Sequence, residues 1–314
     1  MTVLPAPFRH RPGPSRAEGA LLGLAVLLLG LACLGPALPA STLQHAFADQ
    51  RALWGIPCAL DVLSNLPFAA AGLWGLRWLR RVERPAMDAA SRVFAALFFA
   101  GLVCTAVGSG LYHAVPDDAG LLWDRLGMVL PFAGLLGLAA GGRVSARAGW
   151  AAAGTVLLAG PAAVLWWSTT GNLLPWAVVQ LGGMLVVLAL ALLPRRAGTL
   201  PVHLGAVIAM YAVAKLFEAV DHAVFDATAQ WVSGHSLKHV LAAGAAWPVL
   251  MALDALAASR HSRAPRPAFA AMCGQNGAHT MGVARGQGLQ PRVRRAIPTH
   301  TAATADPLDT RRNA

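Results

Sequence analysis

The stretch "VFAALFFAGLVCTAVGSGLYH", Val93 to His113, decides the fold class. From Val93 to Tyr112 it carries no charged group, and a helix needs about 20 apolar residues to cross the hydrocarbon core of a bilayer. The run therefore predicts a membrane helix. It ends on Ser109 and His113, which are spaced i, i+4 and so project from one helix face. A hydrophobic span that closes on a hydroxyl and an imidazole is carrying more than a membrane anchor.

The rest of the chain has the same character. Of its 314 residues, 56% are hydrophobic and only 12% are charged, where a soluble domain carries about 25%. Eight spans are predicted: Ala20–Leu38, Ala59–Leu79, Val93–Tyr112, Leu121–Ala140, Ala148–Trp167, Leu173–Leu193, Val202–Phe225 and His235–Ala257. The fold class is all-α, a polytopic membrane helix bundle with a seven-helix core plus one N-terminal helix. That first span follows a basic segment, residues 1–19, and residues 20–40 read as an anchored helix in preference to a cleaved signal peptide. Residues 41–258 form the membrane domain. Residues 259–314, rich in Arg, Pro, Gly, Ala and Thr, have a composition that buries no core and predicts disorder. The four cysteines, Cys33, Cys58, Cys104 and Cys273, give neither a CxxC nor a zinc-finger spacing.

The net charge of +11 would point to nucleic acid in a soluble protein. Here the arginines sit between the apolar runs, so they report topology and no nucleic-acid partner is expected. Arg9, Arg11 and Arg16 precede the first span. Arg77, Arg80, Arg81, Arg84 and Arg92 surround the second connection, Arg143 and Arg147 the fourth, Arg195 and Arg196 the sixth. The odd connections hold only Arg51. Cytoplasmic loops collect Lys and Arg, so both termini are expected inside and the odd connections outside. Trp123, Trp166, Trp167, Trp176 and Trp231 fall near outer span ends and read as interfacial anchors.

Ionisable groups inside spans are costly and mark function. Asp61, Ser64 and Asn65 open the second span. Ser109 and His113 close the third, and Asp124 and Arg125 open the fourth. Lys215, Glu218, Asp221 and His222 lie on the seventh, and His235, Lys238 and His239 open the eighth. On the expected topology all of them fall in the outward half of the bundle, which predicts one polar site near the outer leaflet. His235 and His239 share a helix face at i, i+4. Three histidines and a water make a catalytic zinc shell, in which the pKa of the water falls toward about 7. Asp124 is placed to take its proton and Ser109 to meet a developing oxyanion. The plainer readings are that HxxxH is a wet helix end and His113 a rim histidine. Lys215, Glu218 and Asp221 read as an internal ion-pair cluster. Asp117 and Asp118 read as solvated loop residues, and His222 as the nearest competitor for a ligand position.

An "SN" near the start of one span, "GSxxxH" closing the next, an Asp eleven residues further on and a late HxxxH resemble the alkaline ceramidase family. That family belongs to a superfamily of seven-helix membrane hydrolases that includes the progestin and adiponectin receptors. The resemblance covers roughly residues 47–256 and rests on Ser64, Ser109, His113, Asp124, His235 and His239. It implies zinc on His113, His235 and His239, and assistance from Ser109 and Asp124. It also implies hydrolysis of the amide bond of ceramide-like membrane lipids, with Ser64, Asp61 and Asn65 supporting the site. Two features depart from the family. The first span is additional, and the segment where animal members bind calcium keeps only Asp49 and Asp61 as acidic groups. The Ala/Gly/Arg-rich composition indicates a bacterial inner-membrane protein with its site toward the periplasm. A receptor on the same scaffold, or a transporter or proton relay using Asp61, Glu218, Asp221 and the histidines, are the alternatives. The sequence leaves oligomeric state open.

Overall fold

The computed structural model describes residues 13–261, with side chains through Ala258. Residues 1–12 and 262–314, which include most of the expected N-terminal segment and of the basic tail, lie outside the described residues. Among the described residues there is no strand, only isolated bridges between Pro39 and Asn172 and between Leu53 and Ile56. The molecule is an all-α helical bundle, and seven of its helical spans are long and apolar enough to cross a membrane.

Helix α1 (Arg16–Leu34) starts earlier than expected because Ser15 caps it: the Ser15 hydroxyl accepts from the Glu18 amide, and the Glu18 carboxylate accepts from the Ser15 amide. The second span is interrupted. Helix α2 (Ala59–Leu63) gives way at Ser64 and Asn65 to α3 (Leu66–Arg81), which takes Pro67 in its first turn. Three long helices follow: α4 (Ala89–Ala114), α5 (Asp118–Arg143) and α6 (Ala146–Thr170). Asp88, Asp117 and Ser145 start them by accepting from amides in their first turns. Asp117 is therefore a helix cap and not merely a solvated residue.

The sixth span runs through α7 (Leu174–Ala177), a π turn (Val178–Gly182) and α8 (Gly183–Ala191). The seventh is shorter than its hydropathy implied. Helix α9 (Leu204–Ala219) has 16 residues and breaks at Val220 before α10 (Asp221–Ala227). The eighth divides into α11 (Gly234–Gly244) and α12 (Trp247–His261).

Helices α4 and α5 form the centre. Membrane helices associate by close backbone approach at small residues, and this pair does so along its length. Thr105 Oγ1 lies 3.1 Å from the carbonyls of both Gly101 on its own helix and Gly127 on α5. At Gly108 a Cβ would sit 2.5 Å from the Trp123 carbonyl oxygen, so no side chain fits there without parting the helices. Helix α1, by contrast, buries no residue.

Loop contacts fix which connections share an end. Arg196 Nη1 donates to the Gly141 carbonyl, the Asp88 amide donates to the Gly198 carbonyl, and Arg147 pairs with Glu18. The arginine-rich connections thus gather at one end. At the other, the Leu173 amide donates to the Leu38 carbonyl, Gln44 reaches Asp118, and Arg51 reaches the Trp231 carbonyl. This alternation is the one expected for eight consecutive crossings.

The tryptophans divide. Trp123, Trp166 and Trp231 are exposed, as anchors should be, but Trp167 and Trp176 are buried. Trp167 lies under the buried Arg125 guanidinium, 3.7 Å from its ring centre, in a cation–π contact. Trp176 belongs to the hydrophobic core.

Candidate metal centre

At the arginine-poor end, three imidazoles from two spans converge. His113, in the last turn of α4, meets His235 and His239 from α11. All three are buried, and one nitrogen of each lies within 4.8 Å of the others. The Nε2 atoms of His113 and His235 are 3.2 Å apart. Tetrahedral zinc–nitrogen bonds of about 2.05 Å require a nitrogen–nitrogen separation of about 3.3 Å, so this pair has the spacing of two ligands on one ion. The donor set of neutral imidazoles without thiolate suits zinc, copper, iron or nickel, and the geometry accommodates a metal without naming which.

Local sequence explains how α11 delivers its two histidines. Ser233 caps the helix through the Ser236 amide at 2.9 Å. Asp221 accepts from the His235 amide at 2.8 Å. Gly234 is required because α11 begins in contact with the seventh span: a Cβ there would fall 2.3 Å from the Phe217 carbonyl and 2.8 Å from the Asp221 Cα.

His239 is oriented by a short relay. Its Nδ1 lies 2.7 Å from Ser64 Oγ, and that hydroxyl lies 2.9 Å from the Asp61 carbonyl. The serine has one proton and gives it to the carbonyl, so it accepts from His239 Nδ1–H. The tautomer is thereby set, and the Nε2 lone pair turns toward the cluster. Asp61, with no exposed surface, accepts from Ser236 Oγ at 2.6 Å and Ser233 Oγ at 3.1 Å. Asn65 Nδ2 donates to the Asp61 carbonyl at 2.9 Å. The interruption between α2 and α3 is what brings Asp61, Ser64 and Asn65 together beneath His239.

Ser109 lies one turn before His113, with its Oγ 3.5 Å from His239 Nε2. Asp124 comes from the second turn of α5, where the two helices pass closely: a Cβ at Gly108, next to Ser109, would lie 3.4 Å from the Asp124 Cα. Of the residues singled out in the sequence, Ser64, Ser109, His113, His235 and His239 come together here, and no hydrogen bond joins Asp124 to them. His222 is exposed and is not among the clustered histidines.

Glu218 pairs with both Lys215 and Lys238, the latter at 3.1 Å. Asp221 stands outside this ion-pair cluster, because its two oxygens bind backbone amides of His235 and Ala48.

Two neighbours of the site, Phe47 and His45, were not recognised in the sequence, and a third, Lys238, was noted there without a role. The connection from residue 35 to 58 folds over the histidines and sets Phe47 against them, with ring centres 4.6 Å from His113 and 4.7 Å from His235. His45 bridges Tyr112 Oη at 2.9 Å and Asp118 at 3.1 Å, so Asp118 is a tether for this segment. Lys238 Nζ lies 3.0 Å from His235 Nε2. Only the i+3 offset of Lys238 from His235 was visible in the chain.

The same segment tests calcium. Both Asp49 carboxylate oxygens are taken by Arg51, at 2.8 and 2.7 Å. Burial works to raise the Asp49 carboxyl, but the Arg51 hydrogen bonds and charge outweigh it and hold the carboxyl below its ordinary range. Calcium needs six to eight oxygens, and Asp49 is committed to an intramolecular cation. The residues do not fit a calcium site built on Asp49.

No family model and no curated protein matches the chain. What stands is a multi-span helical bundle with a buried three-histidine cluster at one end.

Proposed function

We propose that the chain is a zinc-dependent intramembrane hydrolase that cleaves the amide bond of ceramide-like N-acyl lipids, with its site toward the periplasm of a bacterial inner membrane. The observation that carries this reading is the convergence of His113, His235 and His239, with Ser109 Oγ 3.5 Å from His239 Nε2. The ordered resemblance to the alkaline ceramidases supports it, although here the calcium feature is replaced by the Asp49–Arg51 pair.

Zinc, when held by the three histidines, supplies a Lewis acid that lowers the pKa of a water toward about 7. The remaining work falls to side chains of this chain. Asp124 accepts a proton from the attacking water and returns it to the leaving nitrogen. Ser64 fixes His239, and Phe47 shields the imidazoles from bulk water.

The test compares wild type with Asp124→Asn on a panel of fluorescent N-acyl sphingoid and other N-acyl lipids, with zinc measured in both. Asparagine keeps the shape but cannot take the proton, so turnover should fall by about 10²–10⁴-fold with zinc retained. Wild-type protein with full zinc that releases no fatty acid from any amide or ester lipid would move the reading to a receptor. A transporter draws some support from the interruptions at Ser64–Asn65 and Val220. It predicts substrate flux without hydrolysis in the same preparation.

A further inference from the structure

Ser109 Oγ stands 3.5 Å from His239 Nε2, and a second, charged donor stands beside His235. Lys238 Nζ is 3.0 Å from His235 Nε2 and 3.1 Å from Glu218 Oε1, and its side chain keeps 20% exposure. Glu218 is shared with Lys215, so one carboxylate serves two ammonium groups and does not cancel the Lys238 charge. A cation held against a metal-binding cluster is repelled by any metal bound there. An oxyanion joining the site would offset that repulsion. An ammonium has three N–H donors; the Glu218 and His235 contacts take two and leave one.

We propose that Lys238 is the electrophilic group of the site: it donates a hydrogen bond to the scissile carbonyl oxygen as charge develops there, and it binds the carboxylate of the acyl product. This inference rests on the hydrolase reading. Water adds to the carbonyl carbon and passes a proton to Asp124, while the carbonyl π pair moves onto oxygen against the Lys238 ammonium. The carbonyl then re-forms, the C–N pair leaves with nitrogen, nitrogen takes the proton from Asp124, and the carboxylic acid gives its proton to the released amine to leave a carboxylate. Lys238 transfers no proton at any point. The ligand class follows from the charge: an acyl chain ending in a planar oxyanion, that is, a fatty carboxylate.

The experiment uses the full chain in detergent, loaded with zinc, as wild type, Lys238→Met and Lys238→Arg. Zinc content, kcat and KM for an N-acyl lipid, and calorimetric affinity for dodecanoate and for dodecanol are measured. Lys238→Met should keep zinc, lose about 100-fold in kcat with KM little changed, and bind dodecanoate at least about tenfold more weakly. Dodecanol affinity should not move, and Lys238→Arg should recover most of both losses. Lys238→Met with full zinc, wild-type kcat and wild-type dodecanoate affinity would overturn the proposal and leave Lys238 as a partner of Glu218 only. If Lys238→Met does not fold, Glu218→Gln/Lys238→Gln removes the ion pair as a unit. Undiminished dodecanoate affinity in that variant overturns the proposal, and weakened affinity at full zinc supports it. Dodecanoate binding needs no turnover, so it decides the role of Lys238 even where a wild type without activity has refuted the hydrolase reading.

Discussion

Gly108→Ala should disable the site without touching any of its side chains. The added Cβ would meet the Trp123 carbonyl oxygen at 2.5 Å and approach the Asp124 Cα at 3.4 Å. A carbon–oxygen contact relaxes only near 3.4 Å, so α4 and α5 must part by roughly 0.9 Å at this level. Ser109 is the next residue on α4, and Asp124 follows Trp123 on α5, so the separation moves these two residues apart directly. A displacement of about 1 Å typically costs about 100-fold in rate, and the overpacking itself should cost about 1–3 kcal/mol of stability. Gly110→Ala is the control, because no heavy atom lies within 4 Å of its Cβ position and both substitutions gain the same helix propensity of about 1 kcal/mol. The assay is turnover of an N-acyl lipid with zinc content and thermal midpoint measured alongside. Gly108→Ala protein that matches Gly110→Ala in all three would refute the claimed contact between α4 and α5.

Two other outcomes are expected. Reporter fusions at Asp118 and at Gly171 should score periplasmic and a fusion within Arg80–Arg84 cytoplasmic, and a cytoplasmic Asp118 fusion would put the histidines on the wrong side. The Asp49–Arg51 pair should hold the segment over the site in a pH-dependent way. Because the folded carboxyl lies below its ordinary value, its contribution is present above about pH 3.9 and is lost as pH falls through the lower folded value. Acid-protease cleavage between residues 41 and 58 should therefore accelerate below about pH 4 in wild type, and already at pH 5 in Asp49→Asn. Equal protection of the two proteins at pH 5 would contradict it.

Much of this was legible in the chain because membrane helices are written in long apolar runs and because i, i+4 spacing is a property of a single helix. His235 and His239 announce their shared face, and Ser109 and His113 announce theirs. The grouping of polar residues at one end followed from the arginines, since loop charge reports which connections lie together. What stayed hidden depends on contacts distant in sequence. Phe47 and His45 reach the site on a connection with no periodicity, so nothing in the local pattern says where they go. Trp167 and Trp176 looked like anchors because hydropathy gives depth in the bilayer but not which side of a helix faces its neighbours. The breaks at Ser64–Asn65 and Val220 fall among polar residues, and Pro67 follows the first, but span-length hydropathy averages over such positions and reads each run as one helix. Ser109 was placed at the site correctly, but its partner there, His239 Nε2 at 3.5 Å, lies 130 positions away on another helix.

The central claim is that His113, His235 and His239 hold one catalytic zinc. Metal analysis of the purified full chain, beside His239→Ala, tests it most directly. The account predicts about one zinc per wild-type chain and loss of most of it in the variant, because two histidines make a poor zinc site. A wild-type chain purified with zinc available that holds none, or a His239→Ala chain that holds as much as wild type, would contradict it.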